Sequence, residues 1–556
     1  MMNSSYKMRY ILSLLLLFLT ASCFGQFLNQ TTTFTRADSL RGQLSPLRVC
    51  YDVTYYHLDV AVDPHSKSIT GSNLFTFKAV KDFQVLQFDL FDNLQIEKIT
   101  YRGKEIPYTR EFNAVYPKFP DTIPAGTIDS FQVLYSGIPI AAKKAPWDGG
   151  FDWKKDQNGR AWIATACQGL GASSWWPNKD HLSDEVDSML ISVTVPEPLM
   201  NISNGRLKSI EKPKEGYRKF NWFVSNPINN YNIALNIGDY VHFKDSYPGE
   251  NGLLDIDYYV IRGHESIAKK HFGANVKPML EAFEHWFGPY PFYEDSFKLI
   301  ETPHLGMEHQ SGIAYGNQYK NGYLGHDGSG TGWGLKWDFI IIHEAGHEWF
   351  GNNITAKDIA DLWIHESFTN YSEAVYIDYH FGKKASQEYV HGNRKGIQND
   401  IPLQGPYHVN KEGSGDMYVK GGVLHNMLRT IINDDEKWRN ILRGLNKEFY
   451  HQTVDYQDIV SYLSIHSGID MSTIFEQYVQ HTDIPTLEVK WGKDGLPQAR
   501  WISDVKDFKM PIAIGVKGKE RQQIPLTTAF KPLEISGLSK VNIDIDTFNY
   551  YIKVSM

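Results

Sequence analysis

Three cysteines in 556 residues are too few for a disulfide framework, so the fold must rest on buried apolar side chains. Basic residues are in slight deficit: 56 Lys and Arg stand against 64 Asp and Glu, with a formal net charge of -8 and a pI near 6.2. That balance excludes a basic nucleic-acid binder as the default reading. Past the N-terminus no apolar run approaches the roughly 18 residues that a bilayer span needs. Internal repeats and low-complexity tracts are also missing. The glycine-rich stretch Gly322–Gly334 lacks the Gly-Lys-Ser/Thr ending of a phosphate-cradling loop, which leaves a mobile surface loop as the expectation. What remains is the composition of an ordinary folded protein, 42% hydrophobic, 22% charged and 14% aromatic. At about 100–200 residues per domain, the length suggests three or four domains.

The N-terminus reads apart from the fold. Lys7 and Arg9 precede an apolar run from Tyr10 to Leu19, followed by small residues and Cys23-Phe24-Gly25. A short positive region, about ten apolar residues and a small-residue exit make a secretory signal over residues 1–25. Thr20-Ala21-Ser22-Cys23 loosely resembles a lipoprotein box. Two outcomes follow: a soluble exported protein, periplasmic or extracellular, or a membrane-anchored lipoprotein with lipid on Cys23. Cys50 and Cys167 are free to pair in an oxidising compartment but are not required to.

From Tyr51 to about Tyr240 the pattern has period two, with Val53, Tyr55, His57 and Asp59 alternating against Thr54, Tyr56, Leu58 and Val60. Turn signals such as Asp63-Pro64-His65 separate the runs, which indicates an all-β domain over 26–245. Helical spacing takes over after about residue 260. Glu265–Phe287, Lys336–Phe350, Trp363–Tyr379, Met417–Ile432 and Met471–His481 are the helical stretches of an α-rich region over 246–484. Short β-type runs return over 485–556.

The chemistry lies in the α-rich region. His343-Glu344-Ala345-Gly346-His347 puts two imidazoles one helical turn apart on one face, where both can reach one cation. Glu366 follows His347 by nineteen positions, at the start of another helical stretch, so the chain can turn and bring a carboxylate back. Two His and one Glu with an open position suit one catalytic Zn2+, whereas a closed structural site favours cysteine. Zinc lowers the pKa of a bound water towards about 7, and Glu344, beside a ligand, is placed to take its proton.

These residues resemble the gluzincin aminopeptidases of peptidase family M1, which join His-Glu-x-x-His and a Glu after eighteen residues to an upstream Gly-x-Met-Glu-Asn. Here the upstream motif reads Leu305-Gly306-Met307-Glu308-His309, with Leu305 and His309 departing from the pattern. The resemblance implies that Glu308 binds the free α-amino group of a peptide, with Gly306 and Met307 beside the substrate. Tyr418, in Tyr418-Val419-Lys420-Gly421, matches the tyrosine that donates to the oxyanion. Gln168, in Cys167-Gln168-Gly169, matches a residue at the substrate's amino end, and Glu373 fits a carboxylate supporting the ligands. The fold it implies is a multidomain α+β protein. A saddle-shaped N-terminal β domain leads to a thermolysin-like catalytic domain and then to a small C-terminal β-sandwich. The resemblance is to a short form, expected without the helical C-terminal domain of many relatives.

The leading reading is therefore a zinc aminopeptidase acting on peptides with a free N-terminus, with no nucleic-acid partner and no transmembrane helix. An endopeptidase, or an epoxide hydrolase as in one branch of the family, is the second reading. A binding protein on a retired peptidase fold is the third, but His343, Glu344, His347, Glu366 and Tyr418 are all in place.

Overall fold

The computed structural model describes residues 34–492 and 495–556. The export signal and Cys23 lie outside the described residues. Residues 37–556 form one compact unit. Among the described residues no helix is long and apolar enough to cross a membrane.

The period-two region is a stack of strands, as its alternation requires. An eight-stranded sheet is built around Tyr51–Asp63, which pairs antiparallel with Ser68–Ala79 and parallel with Ser188–Pro196. Its alternate residues Tyr56, Leu58, Val60 and Val62 are buried, together with Trp175, Trp176 and Trp222. Cys50 and Cys167 are both buried and unpaired in this region. A smaller sheet of Gly150–Lys155, Ala161–Ala166, Asn236–Gly238 and Met200–Ile202 carries Gln168 just past the end of its second strand.

A five-stranded sheet then supports the site, in the order Tyr240–Gly249, Gly252–Ile261, Phe297–Glu301, Ile313–Tyr315, Gly306–Met307. The hairpin Tyr240–Ile261 thus runs across residue 245 and joins the sheet under the helices. Those helices are α1 (Glu265–Phe287), α2 (Phe339–Gly346), α3 (Trp363–Phe381), α4 (Lys383–Asn393) and α5 (Val419–Ile432). α2 is shorter than the expected 336–350. Asp338 caps it, accepting from the amides of Ile340 at 2.9 Å and Ile341 at 3.2 Å, so the helix cannot begin earlier. The expected helix over 471–481 divides into α-helix Ser472–Phe475 and a π-turn Glu476–Gln480.

The C-terminal segment forms a four-stranded and a three-stranded sheet. Its Leu487, Trp501, Phe508 and Ile514 belong to the same continuous apolar core as Phe272, Ile341, Trp363 and Leu428 of the helical region. Burial of side chains this large, at roughly 25 cal/mol per Å2 of apolar area, is what joins these layers.

Candidate metal centre and active site

α2 carries His343 and Glu344, and His347 follows as its C-terminal residue in helical geometry, φ -64° and ψ -21°. α3 crosses beside it and supplies Glu366 from its first turn. The ligand atoms of His343, His347 and Glu366 all lie within 4.8 Å of one another. Glu366 Oε2 is 3.7 Å from His343 Nε2 and 3.4 Å from His347 Nε2. The far nitrogens are fixed: His343 Nδ1 is 2.9 Å from Glu373 Oε1, and His347 Nδ1 is 3.0 Å from the carbonyl of Phe350. Acceptors on both Nδ1 atoms place the ring protons there and turn the Nε2 lone pairs towards Glu366. Glu366 Oε2 is itself buried without a hydrogen-bond donor among the described residues. Two imidazole lone pairs and an orphaned carboxylate oxygen facing one point form a donor set that fits a zinc ion.

Glu373 spans the space behind His343. Besides the imidazole it accepts from Tyr389 Oη at 2.6 Å and Asn370 Nδ2 at 3.2 Å. Burial pushes the Glu344 carboxyl up to about 7, with His343 opposing and the negative charge of Glu308 adding to the rise. Gly306 passes directly above it. A Cβ there would stand 2.8 Å from Glu344 Oε1 and from Ile340 Cγ2, so only glycine lets this strand lie across the Glu344 side chain. Gly306–Met307 is the edge of the five-stranded sheet, with an open hydrogen-bonding side that an extended peptide can use.

Glu308 lies on the other flank. Its Oε1 accepts from Gln168 Nε2 at 2.7 Å, and the same amide reaches Glu366 Oε1 at 3.3 Å. Burial, and then the charge of Glu366, raises the Glu308 carboxyl. Tyr418 precedes α5, and its ring is nearly parallel to that of His343, centroids 6.0 Å apart. Burial first, then Glu366 and Glu412, hold its phenol far above the ordinary range, so it stays a proton donor. Met307 packs in a small cluster with Ala166, Tyr231 and Ala314. Leu305 is half-buried against the main core, while the His309 ring is fully buried and pushed down to about 3 by that burial. All nine sequence-predicted site residues meet in this one region.

Several contributors had no motif to announce them. Glu348 is fully buried and accepts from Tyr290 Oη at 2.5 Å, from the Ser311 amide at 3.0 Å and from Asn352 Nδ2 at 3.0 Å. Asn352 also donates to the Glu308 carbonyl at 2.8 Å. Together they clamp the loop that presents Glu308. Tyr231 adds a buried phenol that feels Glu308 and Glu366. A cavity opens behind Gln168, lined by Leu182, Asn229, Tyr231, Asp358 and Leu362 among others. The available sequence signal was only polar residues set within an apolar stretch.

The description "Peptidase family M1 domain" matches residues 275–478. Residues 275–478 are a peptidase family M1 domain. Similarity extends beyond it. A probable aminopeptidase 2 of Sulfurisphaera tokodaii is 24% identical over 501 residues, covering 83% of this chain and 60% of that protein. A leucyl aminopeptidase of Saccharolobus solfataricus is 23% identical over 453 residues, 77% of this chain and 54% of its own. The chain thus spans little more than half the length of these curated relatives. Among solved structures, an M1 zinc metallopeptidase from Deinococcus radiodurans superposes with a TM-score of 0.67 at 18% identity, covering 80% of this chain and 98% of that one. An aminopeptidase A of Legionella pneumophila in complex with aspartic acid gives 0.73 at 15% identity, covering 91% and 60%. The M1 fold, with a β-rich N-terminal part and a helical catalytic part, therefore holds the site just described.

Proposed function

We propose that this protein is an exported zinc aminopeptidase that removes single residues from the free N-termini of peptides. The observation that carries the reading is the buried Glu308 carboxylate, held by Gln168 beside the three-residue donor set. An ammonium group seated there gains a charge-assisted hydrogen bond, and its distance from the donor set measures one residue from the chain end.

His343, His347 and Glu366 would hold the metal, which supplies a Lewis acid for the scissile carbonyl and acidifies water. The edge strand Gly306–Met307 aligns the peptide backbone. Glu344 takes a proton from the attacking water and returns it to the departing amine nitrogen, so the amide is cleaved to an amino acid and a shortened peptide. Tyr418 donates its phenolic proton as a hydrogen bond to the carbonyl oxygen as charge develops there. The cavity lined by Leu182, Asn229, Tyr231 and Leu362 receives the first side chain.

The purified protein is expected to cleave aminoacyl-arylamides and to lose that activity to a chelator. Glu344→Gln should lower kcat by several orders of magnitude; unchanged turnover in that variant would refute the assignment of the base.

A further inference from the structure

The glycine-rich stretch Gly322–Gly334 has no part in the chemistry above, yet it is tightly tethered. Asn317 anchors its start, donating through Nδ2 to the carbonyls of Lys320 at 2.7 Å and Gly322 at 2.8 Å and to Asp338 Oδ1 at 2.8 Å. Its Oδ1 accepts from the Leu324 amide at 2.8 Å. Tyr323 and His326 exchange both backbone hydrogen bonds, at 2.9 and 3.0 Å, across Leu324-Gly325, whose φ angles are +52° and +90°. That is a two-residue hairpin turn with both central residues left-handed. A Cβ on Gly322 would stand 2.5 Å from the His326 carbonyl, so the glycine is needed for the turn to close. Farther on, Asp327 accepts from Ser329 and Gly332, and Trp333 Nε1 donates to Glu388 on α4 at 2.9 Å. The expected mobile loop is held from both ends.

The turn delivers Tyr323 to the catalytic groups. Its half-buried ring meets Phe339 edge-on, centroids 5.5 Å apart, and Phe339 stacks on the ligand His343 at 5.2 Å. After burial, the charge acting on the Tyr323 phenol is that of Glu344. Tyr231, packed with Met307, feels Glu308 first among the charges instead. The edge strand passes Glu344 and Ile340 at Gly306 before it reaches Glu308, so a peptide paired along it with its amino group at Glu308 leaves past Gly306, on the side of α2 where Phe339 and Tyr323 stand.

We infer that Tyr323, backed by Phe339, is the specificity-determining wall for the side chain of the substrate's second residue, and that it favours aromatic and large apolar groups there. The inference rests on the aminopeptidase reading. A ring presented on a rigid turn loses little freedom on binding, and an aromatic pair adds to the burial of apolar area. Discrimination of about tenfold between a large and an absent second side chain is the expected scale.

The test uses free-amino tetrapeptides Leu-Xaa-Ala-Ala, with Xaa as Gly, Ala, Leu or Phe, and reads kcat/KM from released leucine. The wild-type protein should cleave the Phe peptide about tenfold better than the Gly peptide. Tyr323→Ala should bring the two within about threefold, and Tyr323→Phe should preserve the preference. Calorimetric binding of Leu-Phe and Leu-Gly to the zinc-loaded Glu344→Gln protein should show the same preference and its loss on adding Tyr323→Ala. An equal Phe/Gly ratio in wild type and Tyr323→Ala would overturn the inference. Failure of the wild-type protein to cleave any of the four peptides would instead overturn the aminopeptidase reading, while the binding preference would still report on Tyr323.

Discussion

Removing the carboxylate behind His343 should weaken metal binding while leaving all three ligands in place. Glu373 is fully buried, and its Oε1 lies 2.9 Å from His343 Nδ1. It fixes both the orientation and the tautomer of the ring. In Glu373→Ala the Nδ1 proton loses its acceptor, the ring is free to turn, and its basicity falls. Partners of this kind contribute about 10–100-fold to metal affinity, or about 1.4–2.7 kcal/mol. Glu373→Gln keeps an oxygen for the imidazole but loses the charge and turns an NH2 towards Tyr389 Oη, whose hydroxyl can rotate to accept from it, so the lower end, about tenfold, is expected. Alanine also strands Tyr389 and Asn370, which donate to Glu373 at 2.6 and 3.2 Å. Each stranded donor costs about 1–3 kcal/mol, and the glutamine variant separates that loss of stability from the loss of affinity. Competition between the demetallated protein and a chromophoric zinc chelator measures the dissociation constant directly. An affinity within twofold of wild type in both variants would refute the argument.

Tyr418→Phe removes the proposed oxyanion donor without disturbing the donor set, and should lower kcat by about 10²–10³ with little change in KM, measured on an aminoacyl-arylamide. Glu308→Gln should mainly raise KM for free-amino peptides, since the charge partner of the ammonium is lost while the base and donor set remain; a change in kcat alone would contradict its placement. Burial holds the His304 ring down to about 4, below its ordinary 6.5. The unfolded chain then takes up the proton first, so the stability tied to neutral His304 is present above pH 6.5 and is lost as pH falls towards 4, about 3 kcal/mol in all. His304→Asn should flatten the fall of the urea midpoint between pH 7 and 5; parallel pH profiles for variant and wild type would refute this.

The parts of the site that the sequence made legible are those fixed by local geometry. His343 and His347 are one helical turn apart whatever the rest of the chain does, and Glu366 returns from the next helix. Glu308 and Tyr418 were reachable only through a family's motif, because nothing local ties them to the metal ligands. Glu348 and Asn352 were not legible, since their meaning comes from Tyr290, Ser311 and Glu308, 37 to 58 positions away. Tyr323 lay in a stretch whose glycines spoke for flexibility, while the hydrogen bonds from Asn317 and Asp327 that restrain it depend on the folded turn. In the fold, alternation identified the β-rich part well. The hairpin Tyr240–Ile261 alternates in the same way as the strands before it, and only its parallel pairing with Phe297–Glu301 assigns it to the sheet beneath the site.

The central claim is that the buried Glu308 makes this M1 domain count from a free amino end. One peptide, offered to the zinc-loaded protein in free and N-acetylated forms and followed by mass spectrometry, tests it most directly. Stepwise loss of single N-terminal residues from the free peptide, with the acetylated one intact, is the predicted result. Cleavage of both forms at internal bonds would contradict it.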